Sequence, residues 1–100
     1  MTPNQLKQLA VFMGLPEVKI RNSRVFYRKP GYEMPALYQP HLNPKQCQAL
    51  MERISIGVRP DPGTSEWVAS AYGYTWVSKR GDTIGNAVLA TAIDYLEKKR

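Results

Sequence analysis

The chain has 100 residues, of which 43% are hydrophobic and 22% charged, and its fourteen Lys and Arg against eight Asp and Glu leave a net charge of +6. That size and composition fit one globular domain, 1–100, and the charge favours an acidic partner (nucleic acid, a membrane surface or an acidic protein) unless it serves solubility alone. One cysteine, Cys47, excludes an internal disulfide; no apolar run nears the roughly 18 residues of a membrane span; and Met-Thr-Pro-Asn-Gln is no signal-peptide start, so the expected protein is cytoplasmic and free of membrane.

Thr2-Pro3-Asn4-Gln5 has the grammar of a helix start, with Thr2 as N-cap, Pro3 at the first helical position and Gln5 closing a capping box. Leu6, Leu9, Ala10 and Met13 follow at helical spacing, and Gly14 and Pro16 stop the helix. Val18 to Lys29 reads as a β-hairpin: Val18 and Ile20 alternate with Lys19 and Arg21, Asn22-Ser23 is a turn signal, and Val25, Phe26 and Tyr27 favour strand. Lys19, Arg21, Arg24, Arg28 and Lys29 make it the most basic part of the chain.

Pro30, Pro35 and Pro40 interrupt the next stretch, which predicts a packed loop with at most a short edge strand. Tyr32, Met34, Leu37 and Tyr38 are too apolar for a flexible linker and make it a candidate contact loop. Asn43-Pro44-Lys45-Gln46 opens a second helix in the same grammar as the first. Cys47, Leu50, Met51 and Ile54 form its stripe, Gly57 its end, and Pro60-Asp61-Pro62-Gly63 a turn.

Glu66–Tyr72 and Tyr74–Lys79 read as a second hairpin around Gly73. Trp67, Ala69 and Ala71 share one face of its first strand, Val68, Ser70 and Tyr72 the other, and Trp76 and Val77 anchor the second strand. Asp82 or Thr83 caps a final helix in which Ile84, Val88, Ala92 and Leu96, widened by Leu89, Ile93 and Tyr95, form a broad apolar stripe. Lys98, Lys99 and Arg100 suit its C-terminal end. A half-apolar helix needs a flat surface to cover. The expected architecture is α+β, an antiparallel sheet built from two hairpins and covered by three helices, in the order α-β-β-α-β-β-α.

The residues that carry chemistry are sparse. His41 and Cys47 are the one His and the one Cys, which argues against a Cys/His metal site, and Cys47 sits on the apolar stripe of its helix, where a small buried residue is expected. The carboxylates are scattered, and capping accounts for Asp82. Gly81-Asp82-Thr83-Ile84-Gly85 lacks a phosphate-loop or dinucleotide fingerprint. The chain is therefore read as a non-enzyme with no catalytic residue, no cofactor and no metal. Trp67 and Trp76 are read as core or cross-strand packing. The basic hairpin is the strongest signal: its cations suit phosphates, and Phe26, Tyr27 or Tyr32 suit stacking on bases, although strand alternation turns at least one of Phe26 and Tyr27 inward.

From Asn43 onward, Asn43-Pro44 before a helix carrying Leu50-Met51, a strand holding Trp67, a second strand, Gly81-Asp82-Thr83 and the alanine-rich run Ala87 to Ala92 together resemble the phage ABA sandwich domain, a family of small phage and prophage proteins. The resemblance implies no assigned activity and no functional residue to carry over. A small protein of that origin without catalytic groups is expected to occupy a surface: a binding protein that blocks or redirects a host factor, with anti-defence proteins such as anti-CRISPRs as one form. The alternative is a nucleic-acid-binding module built on the basic hairpin. The candidate contact residues are Lys19, Arg21, Arg24, Arg28, Lys29, Tyr32 and Tyr38, and the candidate partners a host protein, another acidic partner or nucleic acid.

Overall fold

A computed structural model describes residues 1–72 and 76–98. The chain is α+β, and it divides into two compact units, Met1–Gln39 and Pro40–Arg100, each with a three-stranded antiparallel sheet. The two hairpins thus lie in separate sheets, and each gains a third strand from the chain beside it.

In the first unit, α1 (Pro3–Phe12) begins as its sequence dictates. The Thr2 hydroxyl accepts from the Gln5 backbone N–H at 3.2 Å, and the Gln5 side chain accepts from Thr2 N–H at 2.9 Å, so two otherwise orphaned donors are satisfied reciprocally. Gly14, at φ +79°, turns the chain out of the helix, and the Leu15 N–H returns to the Ala10 carbonyl. Strands β1 (Lys19–Arg21) and β2 (Arg24–Tyr27) are joined by Asn22 and Ser23, both at positive φ. This is the two-residue turn whose twist matches paired strands, and it fixes the register: Arg21 faces Arg24, Ile20 faces Val25 and Lys19 faces Phe26. The short edge strand β3 (Ala36–Leu37) pairs with β2. Helix α1 packs on β1 and β2, and the buried apolar residues of this unit are Leu6, Leu9, Ala10, Val25 and Tyr38.

In the second unit, α2 (Pro44–Ile54) is capped by Asn43, whose side-chain oxygen accepts from the Lys45 and Gln46 N–H groups. The helix ends at Ser55, not Gly57. Ser55 takes the left-handed conformation at φ 59°, and the Ile56 N–H bonds to the Met51 carbonyl. Gly57 is thereby free to start β4 (Gly57–Pro60), a strand that the sequence reading took for the helix end and a turn. A loop organised by Asp61 leads to β5 (Trp67–Tyr72): its N–H bonds to the Glu66 carbonyl and its carboxylate accepts from the Thr64 hydroxyl. Strand β6 (Trp76–Gly81) pairs with β5. The turn expected at Gly73, with Tyr74, lies outside the described residues.

Helix α3 (Ile84–Lys98) covers one face of this sheet, and α2 packs against α3. Thr83 is its N-cap, accepting from the Asn86 N–H at 3.1 Å, while Asp82 accepts from the Asn86 side chain. Lys98 pairs with Asp94 near the helix end; Lys99 and Arg100 lie outside the described residues. The buried stripe is Ala87, Val88, Leu89, Thr91 and Ala92, while Ile84, expected to start it, is exposed. Against it stand Ala69, Ala71 and Val77 from the sheet, all essentially inaccessible. Small side chains on both surfaces let helix and sheet approach closely. Thr91 is fully buried, and its hydroxyl donates to the Ala69 carbonyl at 2.9 Å. No helix among the described residues is long and apolar enough to cross a membrane.

A buried hydroxyl that bridges helix and sheet makes a sharp test of this packing. Thr91→Val keeps the shape and removes the donor, and a loss of about 1–2 kcal/mol in urea unfolding is expected.

Candidate nucleic-acid interface

Period-two alternation sorts the first sheet into two faces. Ile20, Val25 and Tyr27 point inward, where Val25 is fully buried and Tyr27 meets Tyr38 edge to face with ring centroids 6.3 Å apart. Lys19, Arg21, Arg24 and Phe26 share the outer face, the three cations exposed and Phe26 half-buried among them. Phe26 lies in a groove of about 220 Å³ rimmed by Lys19, Arg21 and Arg28, with Glu17 and Glu33 at its edge. Arg28 contacts Glu17 at 3.5 Å across exposed surface, a weak pair. Among the described residues, Lys19, Arg21 and Arg24 have no carboxylate partner. Lys29 holds its ammonium 4.7 Å from the centre of the exposed Tyr32 ring.

Six of the seven candidate contact residues are therefore at the surface. Tyr38 is not: it is 2% exposed, and its backbone N–H bonds to the Val25 carbonyl beside β3. Its ring packs inside the first unit. Phe26 takes its place as the aromatic of the basic face. The signal for it was in the sequence, because a two-residue turn at Asn22-Ser23 sets Arg21 against Arg24 and so Lys19 against Phe26.

The second unit carries two further features. Between the starts of α2 and α3 lies a largely apolar cavity of about 480 Å³, lined by Pro40, His41, Cys47, Met51, Val58 and Ile84 among others. The His41 backbone closes one side: a Cβ on Gly85 would stand 2.9 Å from the His41 carbonyl carbon, so glycine is required there. His41 Nδ1 is buried without a hydrogen-bond partner among the described residues, so nothing orients the imidazole through that nitrogen as a Cys–His catalytic pair requires. Cys47 is buried, and burial raises its thiol above the ordinary 9.0, which favours the unreactive protonated form. Among the described residues no three His, Cys, Asp or Glu side chains gather to hold a metal ion.

The other feature is the outer face of the second sheet. Trp67 is half-buried on the face toward α3 and Val77 is buried there; Trp76 is 62% exposed on the opposite face, outside the core, and packs across the strands against Tyr72. Comparison with protein-family models and with curated proteins returns no match.

The Cys47 environment has a pH consequence. A thiol whose native pKa is raised contributes stability that is fully present below pH 9.0, its unfolded value, and is lost as pH rises through the raised native value. Urea midpoints of wild type and Cys47→Ala, followed from pH 7 upward, should therefore differ in slope above pH 9.0, with wild type losing stability faster. Identical slopes would mean that the thiol is not desolvated.

Proposed function

We propose that this chain is a binding protein whose first sheet engages the backbone of a nucleic acid. The observation that carries the reading is the outer face of β1 and β2, where three cations without carboxylate partners among the described residues surround Phe26. Arg21 and Arg24 stand directly opposite each other. Like charges at such a position cost roughly 0.2–1 kcal/mol, and a bound anion relieves that cost. Cations meet phosphates without regard to sequence, and an aromatic ring among them offers a surface for a base. Lys29 and Arg28, beyond the end of β2, extend the same positive edge.

A second reading has one observation in its favour. Tyr32 and Met34 are 59% and 77% exposed in the loop after the hairpin, and such a patch suits a protein partner. On that reading the chain is a phage-type protein of the ABA sandwich kind that blocks or redirects a host factor, as anti-defence proteins do. Affinity capture with and without nuclease separates the two, since a nucleic-acid partner is lost with nuclease and a protein partner is not.

Charge reversal tests the leading reading. Arg21→Glu/Arg24→Glu should weaken binding to an oligonucleotide at low salt at least about tenfold and flatten the dependence of affinity on salt. The exposed pair Lys7→Glu/Lys45→Glu makes the same change in net charge off this face and should have a much smaller effect. Equal losses from the two pairs, or no binding by wild type at low salt, would overturn the proposal.

A further inference from the structure

The sheet of the second unit presents Tyr72 and Trp76 side by side to solvent. They are directly paired across β5 and β6, 72% and 62% exposed, with ring centroids 6.3 Å apart and planes tilted by 45°. Alternation from that pair down the sheet places Ser70 and Ser78 next, joined through their hydroxyls at 3.0 Å, and then Val68 between Arg59 and Arg80. Arg80 is taken by Asp61 at 2.8 Å. Arg59 is exposed and has no carboxylate partner among the described residues. The shallow depression bounded by Arg59, Ser70, Tyr72, Trp76 and Ser78 has a volume of about 440 Å³ and no carboxylate in its lining.

Two large rings on a strand pair, 72% and 62% exposed, present apolar area outside the core. The covered face of the same sheet is filled by Ala69, Ala71 and Val77, so Tyr72 and Trp76 add nothing to that core. The rings are tilted by 45° and not stacked flat on each other. The surroundings decide the chemistry of a ligand: one free guanidinium, two hydroxyls and no acid, in a chain of net charge +6, suit an anionic ligand that also carries flat aromatic groups. Single-stranded nucleic acid has both, since every base has a π face and every linkage a charge. A duplex keeps its bases stacked inside and offers the rings nothing.

We infer that the outer face of β4, β5 and β6 is a stacking platform for single-stranded nucleic acid, on which Tyr72 and Trp76 take bases, Arg59 meets a backbone phosphate, and the Ser70 and Ser78 hydroxyls line the path between. The inference rests on the nucleic-acid reading above and adds the strand form to it. The cations of the first sheet meet the phosphates of single and double strands alike; the rings of this platform need unpaired bases.

The test compares an oligothymidylate of about 12 nucleotides with a duplex of equal length, bound by the full chain at low salt and followed by fluorescence anisotropy. Tyr72→Ala/Trp76→Ala should weaken single-strand binding about tenfold or more and change duplex binding less than about twofold. Trp76→Phe, which keeps a ring, should retain most of the affinity, and Arg59→Ala should lower the salt dependence for the single strand by about one phosphate contact. Trp76→Leu, an apolar replacement at an exposed position, provides the same comparison should the double variant fail to fold. Unchanged single-strand affinity in the ring-free variants, with wild type and the Arg21→Glu/Arg24→Glu variant behaving as the nucleic-acid reading predicts, overturns the platform alone and leaves Tyr72 and Trp76 to a protein partner. Equal loss for single strand and duplex also overturns it. Absence of any binding by wild type overturns the nucleic-acid reading itself.

Discussion

The Thr91 hydroxyl reaches across from α3 to the Ala69 carbonyl, and the second unit is arranged around that closeness. Ala87 and Ala92 on the helix and Ala69 and Ala71 on the sheet are buried to the last few per cent, and larger side chains would hold the two surfaces apart. A fully buried hydroxyl there is tolerable because it has a partner. Helix α3 covers one face of β4, β5 and β6; Trp76, 62% exposed, lies on the opposite face, where Val68 is nonetheless buried between Arg59 and Arg80. The first unit follows the same logic on a smaller scale. Helix α1 takes one side of β1 and β2, and the cations stand on the other.

Each unit thus packs one face of its sheet under a helix and sets its exposed cations or aromatic rings on the other. The packed faces are built of aliphatic and small residues: Val25 in one unit, Ala69, Ala71 and Val77 in the other. The outer faces carry Arg, Lys, Ser and aromatics, with Val68 buried among them in the second unit, and their exposed part suits contact with an anion carrying planar groups. Two of the acids near these faces have structural partners, while Glu33 lies at the edge of the Phe26 groove. Asp61 organises the loop between β4 and β5 and holds Arg80; Glu17 lies against Arg28. Arg21, Arg24 and Arg59 have no carboxylate partner among the described residues.

Features governed by neighbours in the chain were legible in the sequence. Thr2 and Asn43 cap their helices, Asn22 and Ser23 make the hairpin turn, and alternation groups Trp67, Ala69 and Ala71 on one face, which the structure turns toward α3. Features set by distant packing were not. Trp76 reads as core or cross-strand packing; it meets Tyr72 across the strands, and which face of the sheet α3 covers is what leaves it exposed. Tyr38 reads as a surface residue within a proline-rich loop, yet β3 carries it inward onto Tyr27. Strand β4 was hidden by Pro60 and Gly57, residues that discourage strands but are tolerated at a strand's ends on a sheet edge. Ser55 in the left-handed region displaced the expected glycine stop, a local cost that tertiary packing overrides.

The two tryptophans give the most direct measurement, because they lie on opposite faces of one sheet. Indole N–H resonances of Trp67 and Trp76, followed by NMR as oligothymidylate is added at low salt, report which face meets the ligand. The account predicts that the Trp76 signal shifts or broadens with added oligonucleotide while that of Trp67, facing α3, stays in place. Movement of Trp67 with Trp76 unperturbed, or neither signal responding while the nucleic acid binds, would contradict the assignment of the outer sheet face to recognition.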